Sequence, residues 1–251
     1  FVSGKGGTGK STVVAALSRM VADKALADCD VDAPNLHLLV RGIREYQADF
    51  SGARAAVIDP EKCVECGACR EACRFDAIGQ DFRVEAMVCE GCGSCMLVCP
   101  ADAIALMSVK TGETYVDDTS LGTFSHARLD TGAEGSGKLV TEVKKNLERN
   151  ENGEAWALVD GSPGIGCVVI ASMTGADAVA AVCEPTQSGK SDLMRVLQVA
   201  AHFGIPACVC INKYDLNEEI TGQIERFCRE NDIPVIGRIP YEPAVIQALQ
   251  A

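Results

Sequence analysis

The sequence has few aromatic residues and a deficit of positive charge. Phe, Trp and Tyr make up only 5% of its 251 residues, so it offers few of the flat side chains on which single-stranded nucleic acids stack. Lys and Arg number 23 against 35 Asp and Glu, which gives a formal net charge of -12. Such a surface repels phosphate backbones. We therefore expect no nucleic acid among its partners.

The sequence also lacks a long apolar run. None approaches the roughly 20 residues that a membrane-spanning helix needs, and no basic segment followed by an apolar leader stands at its start. These absences predict a cytoplasmic protein with no membrane segment in this chain. Only residues 1–3 precede a glycine-rich loop that normally follows a full strand, and PAVIQALQA ends the sequence within a helical pattern. We expect residues to be missing at both ends.

Cysteine, by contrast, is abundant, with fourteen residues. Without a secretory leader, the reducing cytosol favours metal ligation over disulfides. Eight cysteines form two runs of identical spacing, offset by 26 residues: Cys63-x-x-Cys66-x-x-Cys69-x-x-x-Cys73 and Cys89-x-x-Cys92-x-x-Cys95-x-x-x-Cys99-Pro100. The other six are predicted to be mostly small buried hydrophobic residues; these are Cys29, Cys167, Cys183, Cys208, Cys210 and Cys228.

The two cysteine runs resemble those of bacterial two-cluster ferredoxins. The resemblance implies that each run gives three thiolates to one 4Fe-4S cluster and its fourth to the other cluster. One cluster would be held by Cys63, Cys66, Cys69 and Cys99, and the second by Cys89, Cys92, Cys95 and Cys73. A zinc site needs pairs of cysteines in a tetrahedral set. Three closely spaced cysteines with a distant fourth, twice over, therefore favour clusters over zinc. Arg74 stands where ferredoxins usually have proline, and its charge could tune the potential of one cluster.

The N-terminal stretch GKGGTGKST contains the phosphate-binding pattern Gly4-x-x-x-x-Gly9-Lys10-Ser11, followed at once by a helical pattern. Glycines let backbone N–H groups surround a phosphate, and the helix adds its positive end. In this pattern Lys10 meets the β- and γ-phosphates, and Ser11 ligates Mg²⁺. The predicted nucleotide-binding residues of this segment are Gly4, Lys5, Gly6, Gly7, Thr8, Gly9, Lys10, Ser11 and Thr12.

Apolar strands and helical patterns alternate along most of the chain. This predicts an α/β fold with a mostly parallel P-loop NTPase sheet and helices on both faces. After the strand KALAD, the alternation resumes with the strands AWALVD, DAVAAVCEP, ACVCINKYD and PVIGRIP. The cysteine repeat interrupts it as a small α+β insertion of bacterial ferredoxin type. We assign residues 1–53 and 108–251 to the nucleotide-binding domain and residues 54–107 to the insertion.

The phosphate-binding loop resembles that of the MinD/ParA family of P-loop ATPases, in which a lysine directly precedes Gly-Gly, as Lys5 precedes Gly6-Gly7. In that family the early lysine reaches across a nucleotide-sandwich dimer to the phosphates of the partner subunit. The resemblance implies that this chain forms a nucleotide-dependent homodimer. It also implies that Lys5 stabilises phosphate charge in the partner, much as an arginine finger does.

Two acidic segments extend the resemblance. In ADCDVDAPN, Asp30 matches the family's switch I aspartate, which orients the attacking water or touches Mg²⁺ through water; Asp32 is an alternative for that role. In ALVDGSPGIG, Asp160 matches the acid that ends the Walker B strand and holds Mg²⁺ through water. The family commonly has proline where Ser162 stands, a difference that we expect to matter little. The implied catalytic residues are Lys5, Lys10 and Asp30.

The segment Asn212-Lys213-Tyr214-Asp215 permits two interpretations. In GTPases a loop of this kind recognises guanine through its aspartate. In MinD-like ATPases only the asparagine is used, on adenine, together with backbone from the loop after the last strand, which begins here at Pro240. The resemblance of the whole chain favours ATP and ADP over GTP, with Asn212 and Pro240 as base contacts.

Together these features resemble MinD-superfamily ATPases with an inserted ferredoxin domain. We expect an ATP-hydrolysing protein in which nucleotide-dependent dimerisation is coupled to electron transfer through two 4Fe-4S clusters. Hydrolysis should be slow without a partner, an unidentified redox or assembly protein. A non-redox positioning or assembly ATPase with structural or sensing clusters, and a carrier of iron–sulfur clusters, are the alternatives. A ligase like cobyrinic acid diamide synthase is disfavoured, since such enzymes need a glutaminase domain that this sequence does not contain.

Overall fold

The computed structural model describes residues 1–150 and 153–250. Ala251, and the continuation that we predict for the last helix, lie outside the described residues. The strands are β1 (Lys24–Asp28), β2 (Gly42–Phe50), β3 (Ala53–Ile58), β4 (Ile104–Val109), β5 (Gly112–Thr119), β6 (Gly122–Leu129), β7 (Trp156–Asp160), β8 (Val179–Cys183), β9 (Ala207–Asn212) and β10 (Val235–Ile239). The helices are α1 (Lys10–Met20), α2 (Leu36–Leu39), α3 (Ala68–Ala72), α4 (Ser94–Leu97), α5 (Ser136–Asn150), α6 (Cys167–Met173), α7 (Gln187–His202), α8 (Glu218–Glu230) and α9 (Pro243–Gln250).

The main sheet is mostly parallel, which confirms the predicted fold class. β1 lies between β6 and β7 and pairs with both in parallel, and β9 pairs in parallel with β8 and β10. Residues 1–3 join these two groups, because Val2 bridges Ala181 and Ser3 bridges Pro163. The order is therefore β2-β5-β6-β1-β7, residues 1–3, then β8-β9-β10. β5 pairs antiparallel with both β2 and β6.

Helices cover both faces of this sheet. Side chains alternate along β1, so Leu26 packs on one face with Val14 of α1, whereas Ala27 packs on the other with Leu139 of α5. A strand buried on both faces is apolar at its centre, which explains why residues 25–27 of β1, Ala-Leu-Ala, include no polar side chain. A further core lies between β8, β9, α7 and α8. Among the helices of residues 1–150 and 153–250, none has the length and apolar character needed to cross a bilayer.

The edge strand β2 is an element that the sequence does not predict. Its residues, GIREYQADF, are mostly exposed, so no apolar periodicity marks it. It is held instead by its register with β5 and by Arg44, which bonds Asp117 of β5. β2 carries the chain directly from α2 toward the cysteine runs.

The cysteine runs lie between β3 and β4, which pair antiparallel along their full length. We call residues 53–109 the cysteine module. It has a small core of its own, in which Ala56, Ile78 and Ile104 pack with two of the cysteines. The module is therefore built separately from the main sheet and joins it at the β2 and β5 edge.

The joint between the module and the sheet is pinned by hydrogen bonds. The N–H of Gly52 donates to Thr111 Oγ1 at 2.8 Å, and Lys138 Nζ of α5 donates to the Gly52 carbonyl at 3.1 Å. A Cβ at residue 52 would lie 2.9 Å from Thr111 Oγ1, so glycine permits this close approach. Lys110 adds an ion pair with Asp49 of β2 at 2.6 Å. These contacts leave the joint little freedom to bend.

Leu26 gives a test of the core. The side chain is fully buried at the centre of β1, and Leu→Ala changes at such sites leave a cavity. We expect Leu26→Ala to lower the free energy of unfolding by about 2–5 kcal/mol, measured by urea denaturation followed by circular dichroism. Met20→Ala, at the 79% exposed end of α1, is the control and should change it by less than about 0.5 kcal/mol. Equal losses in both variants would contradict the packing described here.

Candidate functional site

Residues 4–9 form the loop that leads into α1. Gly7 and Gly9 have φ values of 80° and 87°, in the left-handed region that glycine adopts without strain. The carbonyl of Gly9, the N-cap residue, accepts the N–H of Val13 at 2.9 Å. A Cβ at Gly4 would lie 2.4 Å from Cβ of Asp192, so packing against α7 requires glycine there. The loop places the free N–H groups of the α1 N-terminus where helices commonly bind phosphate.

Behind the loop, Lys10 forms a buried ion pair with Asp160 at the end of β7. Nζ lies 2.5 Å from Oδ1, and the side chains are 6% and 0% exposed. Ser11 and Thr12 are half-buried in the first turn of α1. Oδ2 of Asp160 and Oγ1 of Thr8 are buried without a hydrogen-bond partner among the described residues. Carboxylate oxygens are preferred ligands of Mg²⁺, and buried oxygens are normally bonded, so these residues suit a phosphate with bound Mg²⁺.

Three acids follow or end β1, and the structure distinguishes them. Asp28 is fully buried, and its carboxylate accepts the N–H groups of Asp30 and of the first residue of α2, each at 3.0 Å. Burial and the charge of Asp160 raise the pKa of Asp28 to about 7. Asp30 is half-buried; burial raises its pKa, against the opposing effect of the Lys10 charge. Asp32 is exposed. Asp28 thus holds the loop in place, while Asp30 lies within the influence of Lys10.

The loops that follow β1 and β7 are bonded to each other. Cys29 N donates to the carbonyl of Asp160 at 2.8 Å, and Ser162 Oγ donates to the carbonyl of Cys29 at 2.7 Å. Ser162 is buried, and a proline at this position would have no hydroxyl to donate. The serine therefore has a structural consequence that the sequence does not predict, because it joins the two loops that flank the phosphate site.

Lys5, the second lysine of the loop, contacts a different part of the chain from Lys10. Its Nζ lies 2.6 Å from Glu184 Oε1, just after β8, and 3.2 and 3.3 Å from the hydroxyls of Thr186 and Ser188. The side chain is 28% exposed. Lys10 is thus buried behind the loop, whereas Lys5 lies at its rim. The acceptors of Lys5 could not be predicted, because they are remote from it in sequence.

Asn212, at the end of β9, is buried and bonded to the phosphate loop. Its Nδ2 donates to the carbonyl of Thr8 at 2.7 Å, and its Oδ1 accepts the N–H of the next residue at 3.0 Å. A primary amide has two N–H groups and two lone pairs, so one of each is left for a base. Asp215 Oδ1 accepts the N–H of Tyr241 at 2.7 Å. Since Pro240 precedes Tyr241, the two segments predicted to contact the base lie together.

The eight cysteines of the two runs line two cavities in the cysteine module. In each, three thiols come from one run and the fourth comes from the other. The first cavity is lined by Cys63, Cys66, Cys69 and Cys99, and the second by Cys89, Cys92, Cys95 and Cys73. All eight are free thiols.

The thiols surround a volume and do not converge on a point. Within residues 1–150 and 153–250, no three Cys, His, Asp or Glu side chains come close enough to hold a single metal ion. The N–H of Ala103 donates to Cys99 Sγ at 3.3 Å, and that of Ala56 donates to Cys89 Sγ at 3.4 Å. Bonds of this kind adjust the potential of iron–sulfur clusters. Four thiols, largely apolar walls and these N–H···S bonds make each cavity fit a 4Fe-4S cluster.

Each cavity combines buried and exposed thiols. Cys69 and Cys95 are buried, whereas Cys66 and Cys92 are exposed. The two buried cysteines belong to the core of the module, so they form the innermost part of the lining of each cavity. The exposed cysteines bring one edge of each set of ligands to the protein surface.

Comparison with known proteins identifies relatives over the whole chain. Residues 1–251 match the family described as CobQ/CobB/MinD/ParA nucleotide binding domain. The uncharacterised protein MJ0578 of Methanocaldococcus jannaschii is 33% identical over 221 residues, which are 86% of this chain and 78% of that protein. MJ0579 of the same organism is 30% identical over 224 residues, 86% of this chain and 79% of that protein. A ferredoxin of Mycobacterium tuberculosis is 55% identical over 29 residues, 12% of this chain and 25% of the ferredoxin.

Solved structures of the same fold include two archaeal septum-site or cell-division proteins. MinD of Pyrococcus horikoshii, complexed with Mg-ADP, is 19% identical with a TM-score of 0.56 and covers 99% of this chain and 82% of its own. The cell division ATPase MinD of Pyrococcus furiosus is 20% identical with a TM-score of 0.54 and covers 99% and 85%. At this level of identity the likeness shows a common fold.

Gly9 provides a test of the phosphate loop. An added Cβ would lie 2.3 Å from Asn212 Nδ2, in addition to the strain of a positive φ. We expect Gly9→Ala to weaken Mg-ADP binding by about tenfold or more, since strain of this kind costs about 1–3 kcal/mol; isothermal titration calorimetry measures it. Gly222→Ala in α8, where a Cβ meets nothing within 4 Å, should leave the affinity unchanged. Undiminished binding by Gly9→Ala would contradict the assignment of this loop.

Proposed function

The chain belongs to the CobQ/CobB/MinD/ParA nucleotide-binding family, and on that premise we propose that it is an ATPase coupling nucleotide-dependent dimerisation to electron transfer through two 4Fe-4S clusters. The observation that carries this proposal is the pair of four-thiol cavities, in a chain that also holds a phosphate loop with a buried Lys10–Asp160 pair. When bound, 4Fe-4S clusters supply one-electron redox chemistry.

Two features of the cysteine module favour electron transfer over delivery of a cluster. Each cavity already has four thiols from the chain itself, so no ligand position is left for a recipient protein. Both cavities share one small core, which is suited to passing electrons between neighbouring sites. We propose residues 54–107 as the extent of this ferredoxin-like insertion. Its free thiols suit a reducing, cytoplasmic setting.

In the nucleotide site, each residue has a proposed role that follows from its position. The N–H groups of residues 5–10 and the Lys10 ammonium bind the phosphates of ATP. Ser11 and Asp160 hold Mg²⁺, directly or through water, and Asp30 orients the attacking water. Lys5, at the exposed rim of the loop, is the group able to reach the phosphates of a second subunit. At a closed dimer interface the Lys5 ammonium would be shielded from water, and this would strengthen its stabilisation of the charged transition state.

One continuous stretch of chain connects the nucleotide site to the cysteine module. Asp28 fixes the loop that carries Asp30, and that loop leads through α2 and β2 to residue 51. Only residues 51–52 separate β2 from β3, and the bonds of Gly52 to Thr111 and Lys138 make this joint stiff. We propose that a shift of the Asp30 loop on nucleotide exchange is transmitted along β2 and reorients the module relative to an unidentified redox or assembly partner.

The proposal is tested by the redox kinetics of the whole protein. The iron-loaded protein is reduced without oxygen, and its reoxidation by a small electron acceptor is followed with ATP, with ADP and without nucleotide. We expect reoxidation rates to differ between ATP and ADP, and the differences to vanish in Lys10→Ala. Identical kinetics and potentials in all three states would exclude nucleotide gating and favour an ATPase with structural clusters.

The crossed grouping of cysteines predicts a distinctive pattern of iron loss. The protein should bind about eight iron atoms per chain. The double variant Cys63→Ser/Cys99→Ser changes two thiols of one cavity and should retain about four iron atoms. Cys63→Ser/Cys73→Ser changes one thiol of each cavity and should lose both clusters. Cys208→Ser, outside the module, is the control. Iron content and electron paramagnetic resonance measure the outcome, and the reverse pattern would show that each run binds its own cluster.

A further inference from the structure

Glu184 connects three loops around the phosphate site. Its carboxylate lies 2.6 Å from Lys5 Nζ through Oε1 and 3.4 Å from Lys213 Nζ through Oε2. Lys213 Nζ in turn donates to the carbonyl of Gly7 at 3.3 Å. One acid, placed just after β8, therefore contacts the phosphate loop directly through Lys5 and indirectly through Lys213, which follows β9.

The surroundings of Glu184 are firmly built. The N–H of Thr186 donates to the Glu184 carbonyl at 2.8 Å, and Thr186 Oγ1 accepts the N–H of Gly189 as the N-cap of α7. A Cβ at Gly189 would lie 2.4 Å from the Glu184 carbonyl oxygen, so the helix packs tightly against this turn. Thr186 and Ser188 also supply hydroxyl acceptors to Lys5. The turn that carries Glu184 is thus held in place by contacts that do not involve Lys5.

The carboxylate of Glu184 is charged in this arrangement. Its side chain is only 18% exposed, and burial alone would raise its pKa, but the hydrogen bond and charge of Lys5 and the charge of Lys213 lower it overall. A half-buried carboxylate with two lysines is a stronger acceptor for Lys5 than water is. Lys5 therefore has a defined place within its own subunit.

We propose that Glu184 is a positioning residue that holds Lys5 within its own subunit until two nucleotide-bound subunits meet. This inference rests on the proposed role of Lys5 in the partner subunit. The ammonium of Lys5 has three N–H groups, and all three have acceptors on its own subunit, in Glu184, Thr186 and Ser188. To donate to the partner's phosphates in the dimer, Lys5 must therefore give up contacts of this set, of which the ion pair with Glu184 is the strongest. The strength of that contact then sets the protein concentration at which hydrolysis begins.

The contact itself is tested on the nucleotide-free protein, independently of any dimer. An amine whose N–H groups are held by a carboxylate and two hydroxyls is less available to attack and reacts more slowly with an acylating reagent. We expect Glu184→Gln to raise the rate of acylation of Lys5 about two- to fivefold, the range that an ion pair near the surface supports, measured by peptide mass spectrometry. Glu225→Gln is the matched control, since Glu225 pairs with Arg238 at 2.7 Å away from the loop. An unchanged rate at Lys5 would overturn the proposal.

The consequence for hydrolysis is tested with a cycle of variants. ATP hydrolysis, and the fraction of dimer formed with Mg-ATP by analytical ultracentrifugation, are measured against protein concentration for the parent chain, Glu184→Gln, Lys5→Ala and the double variant. We expect Glu184→Gln to lower the protein concentration at which the dimer is half-formed by about three- to tenfold. When Lys5 is alanine, we expect Glu184→Gln to have no such effect. If Glu184→Gln lowers this concentration even when Lys5 is alanine, Glu184 acts by another route. If Glu184→Gln leaves this concentration unchanged when Lys5 is present, the contact does not limit dimerisation. Either result overturns the proposal.

The same measurements separate this inference from the proposed function. If Lys5→Ala hydrolyses ATP as the parent does, the role of Lys5 in the partner subunit is wrong, and the inference fails with it even if acylation is faster in Glu184→Gln. If Lys5→Ala is impaired but acylation of Lys5 is the same in Glu184→Gln and the parent, the proposed function stands and only the role of Glu184 is lost.

Discussion

The buried ion pair between Lys10 and Asp160 is the contact on which the rest of the nucleotide site depends. It ties the first turn of α1 to the end of β7, while Asp28 lies beside Asp160 at the end of β1. Removing one partner of such a pair leaves an uncompensated buried charge, which is costly. A phosphate and a divalent cation arriving together could take over both partners, one bonding Lys10 and the other Asp160. The site is therefore suited to that combination more than to either ion alone.

The cysteine module depends on a different source of stability. Its apolar core is small, and several of its members are themselves cysteines. Units of this size rarely bury enough apolar surface to fold on hydrophobic burial alone, whereas ligands gathered by a metal group convert binding energy into folding energy. The antiparallel pair of β3 and β4 closes the module at its base. This arrangement allows a unit that would gain stability from the proposed clusters to be inserted at the sheet edge without disturbing the parallel core.

The sequence predicts local features of this protein better than remote ones. The phosphate loop and the two cysteine runs are recognisable because spacing within a few residues determines them; Gly67 and Gly93, which precede α3 and α4, even share φ values of 83° and 79°. β1 is predictable because a strand covered on both faces is apolar at its centre, here residues 25–27. The exposed strand β2 gives no such signal. The contact of Lys5 with Glu184 depends on how β8 lies beside residues 1–3, and no pattern in either segment records it.

The exposure of one thiol in each cavity limits how electron flow could be controlled. With Cys66 and Cys92 at the surface, the proposed clusters would exchange electrons without any opening of the module. Control of electron transfer would then depend on what covers those surfaces. A docked protein or the second subunit would cover the exposed thiols and block access by other electron acceptors. The same exposure leaves both sites accessible to dioxygen, and metal-bound thiolates near solvent are readily oxidised. A second subunit or a partner protein that covers Cys66 and Cys92 would therefore also protect the proposed clusters from oxidation.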